Sequence, residues 1–170
     1  MSISAIIAHR MWFMTSKRPR GRGTIRSSTK IYMNYVLEHL VAMTATYFAV
    51  LQEFFRVRRD GRQVTIAVPH PRYDGFLHDA THKRAVTVVG LSVFSRKNCE
   101  EWIAAGNANT PLAFVAGVDF EIVELEITLE ESYKSKFDLG VLSKTELMQA
   151  IRLYNNAIKE TKIVLQVVKA

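Results

Sequence analysis

The chain has 170 residues, of which 48% are apolar and 23% are charged, and this composition excludes wholesale disorder. Its net charge of +7 comes from residues 1–37, which contain seven Lys or Arg and no Asp or Glu, whereas residues 38–170 are neutral overall. The length predicts one domain with one core. We therefore expect a basic N-terminal arm, residues 1–30, joined to a neutral globular body, residues 31–170.

The first 30 residues predict a short amphipathic helix over 2–14, followed by a loop over 15–30 that is rich in Pro, Gly, Ser and Arg. Such a segment also resembles a mitochondrial transit peptide, so mitochondrial targeting by residues 1–30 is one alternative for it. Because later methionines are present, a start-site extension is another alternative. The apolar residues that follow Ile31 recur at helical spacing, and the rising β-branched content predicts that this helix gives way to a strand near Thr46.

The strongest local pattern is a β-hairpin centred on Asp60-Gly61, a dipeptide that suits a tight turn. The expected register pairs Val57 with Val64 and Phe55 with Ile66 on one apolar face. The other face would be cationic because it carries Arg56 and Arg58.

The middle of the chain predicts a long loop over 69–83, then a buried strand over 84–94 and a helix capped by Ser95 that runs to Ala105. A second buried strand is expected over Leu112 to Val118. Strand, helix and strand would then form a right-handed crossover.

Alternation over residues 119–129 predicts a strand, and its change of parity predicts a β-bulge near Ile122–Val123. Ser143 and Glu146 form a capping box that opens a helix, and the apolar C-terminal segment predicts a final strand. The expected fold is thus α+β, a single domain in which a mixed sheet of about five or six strands packs against two or three helices.

The arm predicts a polyanionic partner, because Lys and Arg neutralise phosphates and release counterions. Charge alone does not distinguish among polyanions, but residues 54–97 are also basic and would extend the same surface. The predicted nucleic-acid contacts are Lys17, Arg18, Arg20, Arg22, Arg26, Lys30, Arg56, Arg58 and Arg62.

The loop over 69–83 offers an alternative chemistry. His78 and His82 are four residues apart, so one helical turn would place both imidazoles on one face, and Asp79 could complete a metal site. The glutamate of the zinc-protease pattern is absent, and no third ligand is fixed by spacing. Solvated histidines in a polar loop are the competing interpretation.

Two further patterns favour structural roles. Cys99 falls on the apolar face of its helix, which is typical of a buried structural cysteine. A single cysteine also cannot form an internal disulfide, which favours a reducing, intracellular compartment. The acids Glu121, Glu124 and Glu126 could hold Mg²⁺, but alternating acids are typical of a solvent-facing strand.

The sequence as a whole favours a non-enzymatic binding or assembly protein whose arm contacts nucleic acid or a ribonucleoprotein, with no cofactor. One alternative is a structural subunit of a larger assembly, such as a virus particle, with protein partners or copies of itself as neighbours. The other is a metal-dependent hydrolase or nuclease that uses His78, Asp79 and His82. The longest apolar run, Leu40 to Leu51, is too short to cross a bilayer, which needs about 20 residues, so no transmembrane segment is expected.

Overall fold

A mixed four-stranded sheet forms the centre of the computed structural model, which describes residues 31–40 and 44–169. The strands are β1 (Ile31–Asn34), β2 (Gln63–Pro69), β3 (Phe120–Leu129) and β4 (Ile158–Val167). Their order across the sheet is β1-β2-β4-β3, with β1 parallel to β2 and with β4 antiparallel to both of its neighbours. The strand that comes fourth along the chain therefore lies inside the sheet, between β2 and β3.

Seven α-helices and a 3₁₀ turn lie among the described residues. The 3₁₀ turn (Leu37–His39) follows β1, and the helices are α1 (Thr44–Val57), α2 (Asp74–His78), α3 (Val88–Ser92), α4 (Arg96–Ala104), α5 (Leu112–Ala116), α6 (Glu131–Asp138) and α7 (Lys144–Leu153). Within the described ranges, no helix is both long enough and apolar enough to cross a membrane.

The core lies on one face of the sheet. Alternate residues of β2 and β4 point into it. Val64 pairs with Leu165, and Ile66 pairs with Ile163. Each of these four residues is at most 1% exposed. Helix α1 contributes the other side with Tyr47, Val50, Leu51 and Phe54, spaced as one helical face requires. Fully burying a side chain of this size stabilises the fold by about 1.5–3 kcal/mol.

The predicted hairpin is wrong on one side of its turn. Asp60 and Gly61 do form a turn, in which Gly61 has a φ of 68°, and β2 follows it. Residues before the turn belong to α1, however, and Val64 pairs with Ile31 and Leu165 rather than with Val57. The apolar spacing over 47–54 is helical, and this longer pattern outweighs the short alternation at Phe55 and Val57. The helix predicted from Ile31 is likewise replaced by β1.

Both strands of the predicted crossover are also wrong. The segment 84–94 contains α3, whose Thr87 side chain accepts a hydrogen bond from the Gly90 backbone N–H. The segment after Pro111 contains α5, which Gly117 caps in the left-handed conformation with a φ of 65°. Apolar residues at both parities indicated burial correctly, since Val86, Leu91, Phe94, Ala116 and Val118 are buried, but they did not distinguish strand from helix. In the part of the chain that the structure describes, the sheet consequently has four strands rather than five or six, and there are more helices than expected.

The predictions for the bulge in β3, for the caps of α4 and α7 and for the final strand are confirmed. The register of β3 against β4 shifts between Ile122 and Glu124, where the bulge was expected. Ser143 and Glu146 form the complete capping box of α7, Ser95 caps α4, and β4 is the predicted final strand. The predicted helix over 2–14 and loop over 15–30 lie outside the described residues.

Candidate functional site

A connection between two distant segments builds the first candidate site. The 3₁₀ turn after β1 lies against the end of the segment 69–83, which is not the continuous loop that the sequence predicted because it contains α2. There the Glu38 carbonyl accepts hydrogen bonds from the backbone N–H groups of Lys83 at 2.7 Å and Arg84 at 3.2 Å. These bonds bring Glu38 and His39 beside His82. The rings of His39 and His82 are 4.6 Å apart between centroids, and His82 also stacks on Phe76.

Glu38, His39 and His82, which we call the histidine cluster, offer three ligand atoms that all lie within 4.8 Å of one another. The Glu38 side chain is 0% exposed, and neither carboxylate oxygen has a hydrogen-bond partner. Burial raises the pKa of this carboxyl above its ordinary value, while the backbone amide of Glu38 and then the neighbouring imidazoles act in the opposite direction. An ionised carboxylate without a partner is costly inside a protein, so this position is unusual for a purely structural residue.

Hydrogen bonds orient both imidazoles. His82 Nδ1 lies 2.7 Å from the carbonyl oxygen of Phe76, which can only accept, so a neutral His82 carries its proton on Nδ1. His39 Nδ1 lies 2.8 Å from the Thr81 hydroxyl, and that hydroxyl donates its own proton to Asp79 Oδ1 at 2.6 Å. His39 Nδ1 must therefore be a donor as well. When neutral, each ring therefore has its lone pair on Nε2.

The predicted metal site is only partly reproduced by the histidine cluster. His82 belongs to it, and Asp79 borders it, since Asp79 Oδ2 lies 3.7 Å from His82 Nε2. His78 ends α2 with an exposed side chain and is not one of the three clustered residues. Sequence reasoning missed Glu38 and His39, whose only signal was an acid beside a histidine at the edge of an apolar run.

A second candidate site lies on the face of the sheet opposite the core. A depression of about 400 Å³ opens there at the end nearest the α1–β2 turn and extends across all four strands. We call it the cationic cavity; its lining comprises Ile31, Tyr32, Arg58, Gly61, Arg62, Gln63, Thr65, Glu124, Lys162 and Val164. Arg58 is fixed in place because it is 8% exposed and its Nη2 donates to the Gln63 carbonyl at 2.6 Å.

The predicted nucleic-acid contacts divide into three groups. Arg58 and Arg62 line the cationic cavity, together with Lys162, which was not predicted. Arg56 points elsewhere: it is exposed on α1 and pairs with Glu53 at 2.6 Å. The six predicted contacts of the arm, Lys17, Arg18, Arg20, Arg22, Arg26 and Lys30, lie outside the described residues.

The structural interpretations of the remaining candidates agree with the geometry. Cys99 is 1% exposed, and its thiol donates to the Val93 carbonyl, so it is a buried core residue. Glu124 and Glu126 are exposed on β3 and both lie near the Lys162 ammonium, at 3.8 and 2.6 Å. These two acids therefore form ion pairs with a neighbouring strand.

Comparison with known proteins adds no assignment to either site. No protein-family model matches this sequence, and no curated protein sequence is significantly similar to it.

Proposed function

We propose that the protein binds nucleic acid, with the cationic cavity as the contact surface on its folded body. The observation that carries this proposal is that Arg58, Arg62 and Lys162 surround one depression that also contains the exposed ring of Tyr32. Cations beside an exposed aromatic ring are the combination that single-stranded nucleic acid needs, because the cations track phosphates while bases stack on the ring.

The charge of the cavity favours an anion. Its lining includes three cations and one acid, Glu124. Lys162 is partly neutralised by its ion pairs with Glu124 and Glu126, so the two arginines supply most of the attraction. Arg58 is held rigidly by Gln63, and Arg62 is exposed at the rim, where it can reach a phosphate.

The position of the cavity along the chain also supports the proposal. Ile31 lines the cavity and is bonded directly to Lys30, the last cation of the basic arm. The arm and the cavity are therefore consecutive along the chain, and a nucleic-acid strand that contacts Arg62 would lie near the point where the arm joins the sheet. Both would then contribute to one salt-sensitive surface.

Binding of a fluorescent 20-nucleotide RNA, a matched DNA and anionic vesicles across a salt series tests this function. We expect tight binding to single strands at low salt, with a steep loss as the salt concentration rises. Arg62→Gln should weaken binding by roughly 3–10-fold, since it removes one phosphate contact. Replacing Arg18, Arg20, Arg22 and Arg26 together by serine should reduce the slope of log K against log salt concentration by about 2–3. Each phosphate contact on a single strand contributes about 0.7 to that slope.

Lys144→Gln is the matched control, because Lys144 is an exposed cation at the start of α7, outside the cationic cavity. It should leave the affinity unchanged. Equal losses for Arg62→Gln and Lys144→Gln would contradict a localised surface. Equal affinity for RNA and for anionic vesicles would show that the basic surface binds anions in general rather than nucleic acid.

A second function, assembly with copies of the same chain, is favoured by the edge of the sheet. Strand β3 is ten residues long, and among residues 31–40 and 44–169 it pairs only with β4, along one side. Val123, Leu125 and Ile127 are 41–51% exposed along it. Because an exposed apolar edge strand can pair with its own copy across a two-fold axis, we infer that β3 is the surface by which two copies would associate.

Sedimentation velocity over a range of protein concentrations tests this assembly. We expect a concentration-dependent dimer that is lost in the double variant Leu125→Lys, Ile127→Lys, because two buried charges would replace apolar contacts. Leu139→Lys, at a residue that is 78% exposed and lies outside β3, should leave the dimer intact. A wild-type chain that stays monomeric throughout would refute the assembly function.

A further inference from the structure

We propose that Glu38, His39 and His82 form a binding site for one divalent transition-metal ion, with Zn²⁺ as the best match. The inference is independent of nucleic-acid binding, because none of the three residues lines the cationic cavity. It differs from the site expected from sequence, since two of its three ligands come from the 3₁₀ turn after β1 rather than from the 69–83 loop.

The buried carboxylate of Glu38 favours a bound cation. Glu38 is completely buried and both of its oxygens lack a hydrogen-bond partner. Leaving a buried polar group unsatisfied costs about 1–3 kcal/mol, and more when the group is charged. A bound cation would satisfy both the charge and the unused lone pairs. Among the described residues, ion-pair geometry with Glu38 is limited to His39, whose Nε2 lies 3.9 Å from Glu38 Oε1, beyond hydrogen-bond distance.

The two imidazoles supply the second argument. Metal-bound histidines typically donate their other ring N–H to a carbonyl or to a carboxylate network, which fixes the tautomer and aims the lone pair. His82 does this through the Phe76 carbonyl, and His39 does it through Thr81 and then Asp79. These two hydrogen bonds therefore leave Nε2 of each ring as the nitrogen that is available to coordinate a metal ion.

The ligand atoms lie close together, but slightly farther apart than they would be around a bound metal ion. Bonds of about 2.0–2.1 Å in a tetrahedron place ligand atoms roughly 3.4 Å apart. The observed separation of Glu38 Oε1 from His39 Nε2 is 3.9 Å, and every separation is within 4.8 Å. Small side-chain rotations can close this difference, and the backbone bonds from Lys83 and Arg84 to the Glu38 carbonyl keep the two segments together.

The ligand set selects the class of metal. Two imidazole nitrogens and one carboxylate suit Zn²⁺ and its transition-metal neighbours, whereas Mg²⁺ and Ca²⁺ need a shell made mainly of oxygens. Three protein ligands leave a fourth position for water, as in zinc sites that are open to solvent. Asp79 Oδ2 lies 3.7 Å from His82 Nε2, so a further carboxylate borders the three proposed ligands.

The decisive experiment uses the full chain after any bound metal has been removed with a chelator. One sample is titrated with Zn²⁺ in competition with a chromophoric chelator. A second sample is titrated with Co²⁺, and its visible absorption is followed. We expect one ion to bind per chain and Zn²⁺ to raise the unfolding temperature. The Co²⁺ absorption spectrum should be that of an ion with four ligands rather than six. His39→Ala and His82→Ala should each weaken Zn²⁺ binding by at least 100-fold. Thr81→Ala should weaken it by about 10–100-fold, because Thr81 only orients His39.

Two further variants keep the result interpretable. His78→Ala should bind Zn²⁺ as the wild type does, because His78 is exposed and outside the cluster. Glu38→Gln should remain folded without metal, since it removes the buried charge, yet it should lose the Zn²⁺-dependent stabilisation. Wild-type binding no tighter than that of His39→Ala, or an equal loss in His78→Ala, would overturn the site.

Discussion

Replacing Phe94 by alanine should lower the free energy of unfolding by about 3–5 kcal/mol, the cost that buried phenylalanine deletions typically show. Phe94 is 1% exposed, and its ring packs edge-on against Phe48 at 5.6 Å and at a tilt against Tyr47 at 6.1 Å. The deletion would open a cavity between α1 and the segment that follows α3. Denaturant unfolding followed by far-UV circular dichroism measures the effect.

Val89→Ala provides the control for this deletion. Val89 belongs to α3 in the same stretch of sequence but is 70% exposed, so its truncation should change stability by no more than about 0.5 kcal/mol. Similar losses for the two variants would contradict the packing described for the segment 84–94.

Tyr47→Phe should make the protein more resistant to alkaline unfolding. Burial raises the pKa of the Tyr47 hydroxyl to about 12, even though the Arg84 guanidinium over its ring acts to lower it. The unfolded chain therefore releases this proton near pH 10, before the folded protein does. The folded state binds more protons between pH 10 and 12, so its stability is retained below pH 10 and falls as the pH rises through that window.

Urea unfolding at pH 8 and pH 11.5 measures this linkage. The wild type should lose roughly 2 kcal/mol more than Tyr47→Phe between these two pH values, because one pKa unit corresponds to about 1.36 kcal/mol. Tyr154→Phe is the matched control, since Tyr154 is 57% exposed, and it should lose as much stability as the wild type. Identical pH dependence in all three proteins would exclude Tyr47 as a contributor.

Local chemistry made several elements predictable from the sequence. The capping box of Ser143 and Glu146, the Ser95 cap and the Asp60-Gly61 turn each depend on residues within a few positions of one another. The bulge in β3 was predictable for the same reason, because a change of parity along one strand is visible without knowledge of its partner.

Secondary structure in the buried segments was not predictable in this way. Residues 84–94 and 112–118 are apolar at both parities, a pattern that indicates burial on every side but fits a short helix as well as a strand. Helices α3 and α5 have only five residues each, so neither provides enough turns for a helical period to be recognised. The choice between the two structures was made by tertiary packing.

The candidate sites show the same limit. The loop histidine His82 could be singled out from its spacing, but Glu38 reaches it through backbone hydrogen bonds that span more than 40 residues of sequence. Arg58 and Arg62 were chosen for their charge, whereas Lys162 joins them only because β4 pairs beside β2. Strand pairing assembles the cationic cavity, and backbone bonds between a turn and a distant segment assemble the histidine cluster. Both are long-range contacts that local sequence patterns do not reveal.

The interior position of β4 also determines when the sheet can be completed during synthesis. Strands β1, β2 and β3 are synthesised before β4, yet β2 and β3 do not pair with each other and meet only through β4. Until residue 158 and its successors are released, the facing edges of β2 and β3 have no β4 backbone to bond. Completion of the sheet is therefore a late, non-local step, of the kind that slows folding and leaves a partly made chain open to aggregation.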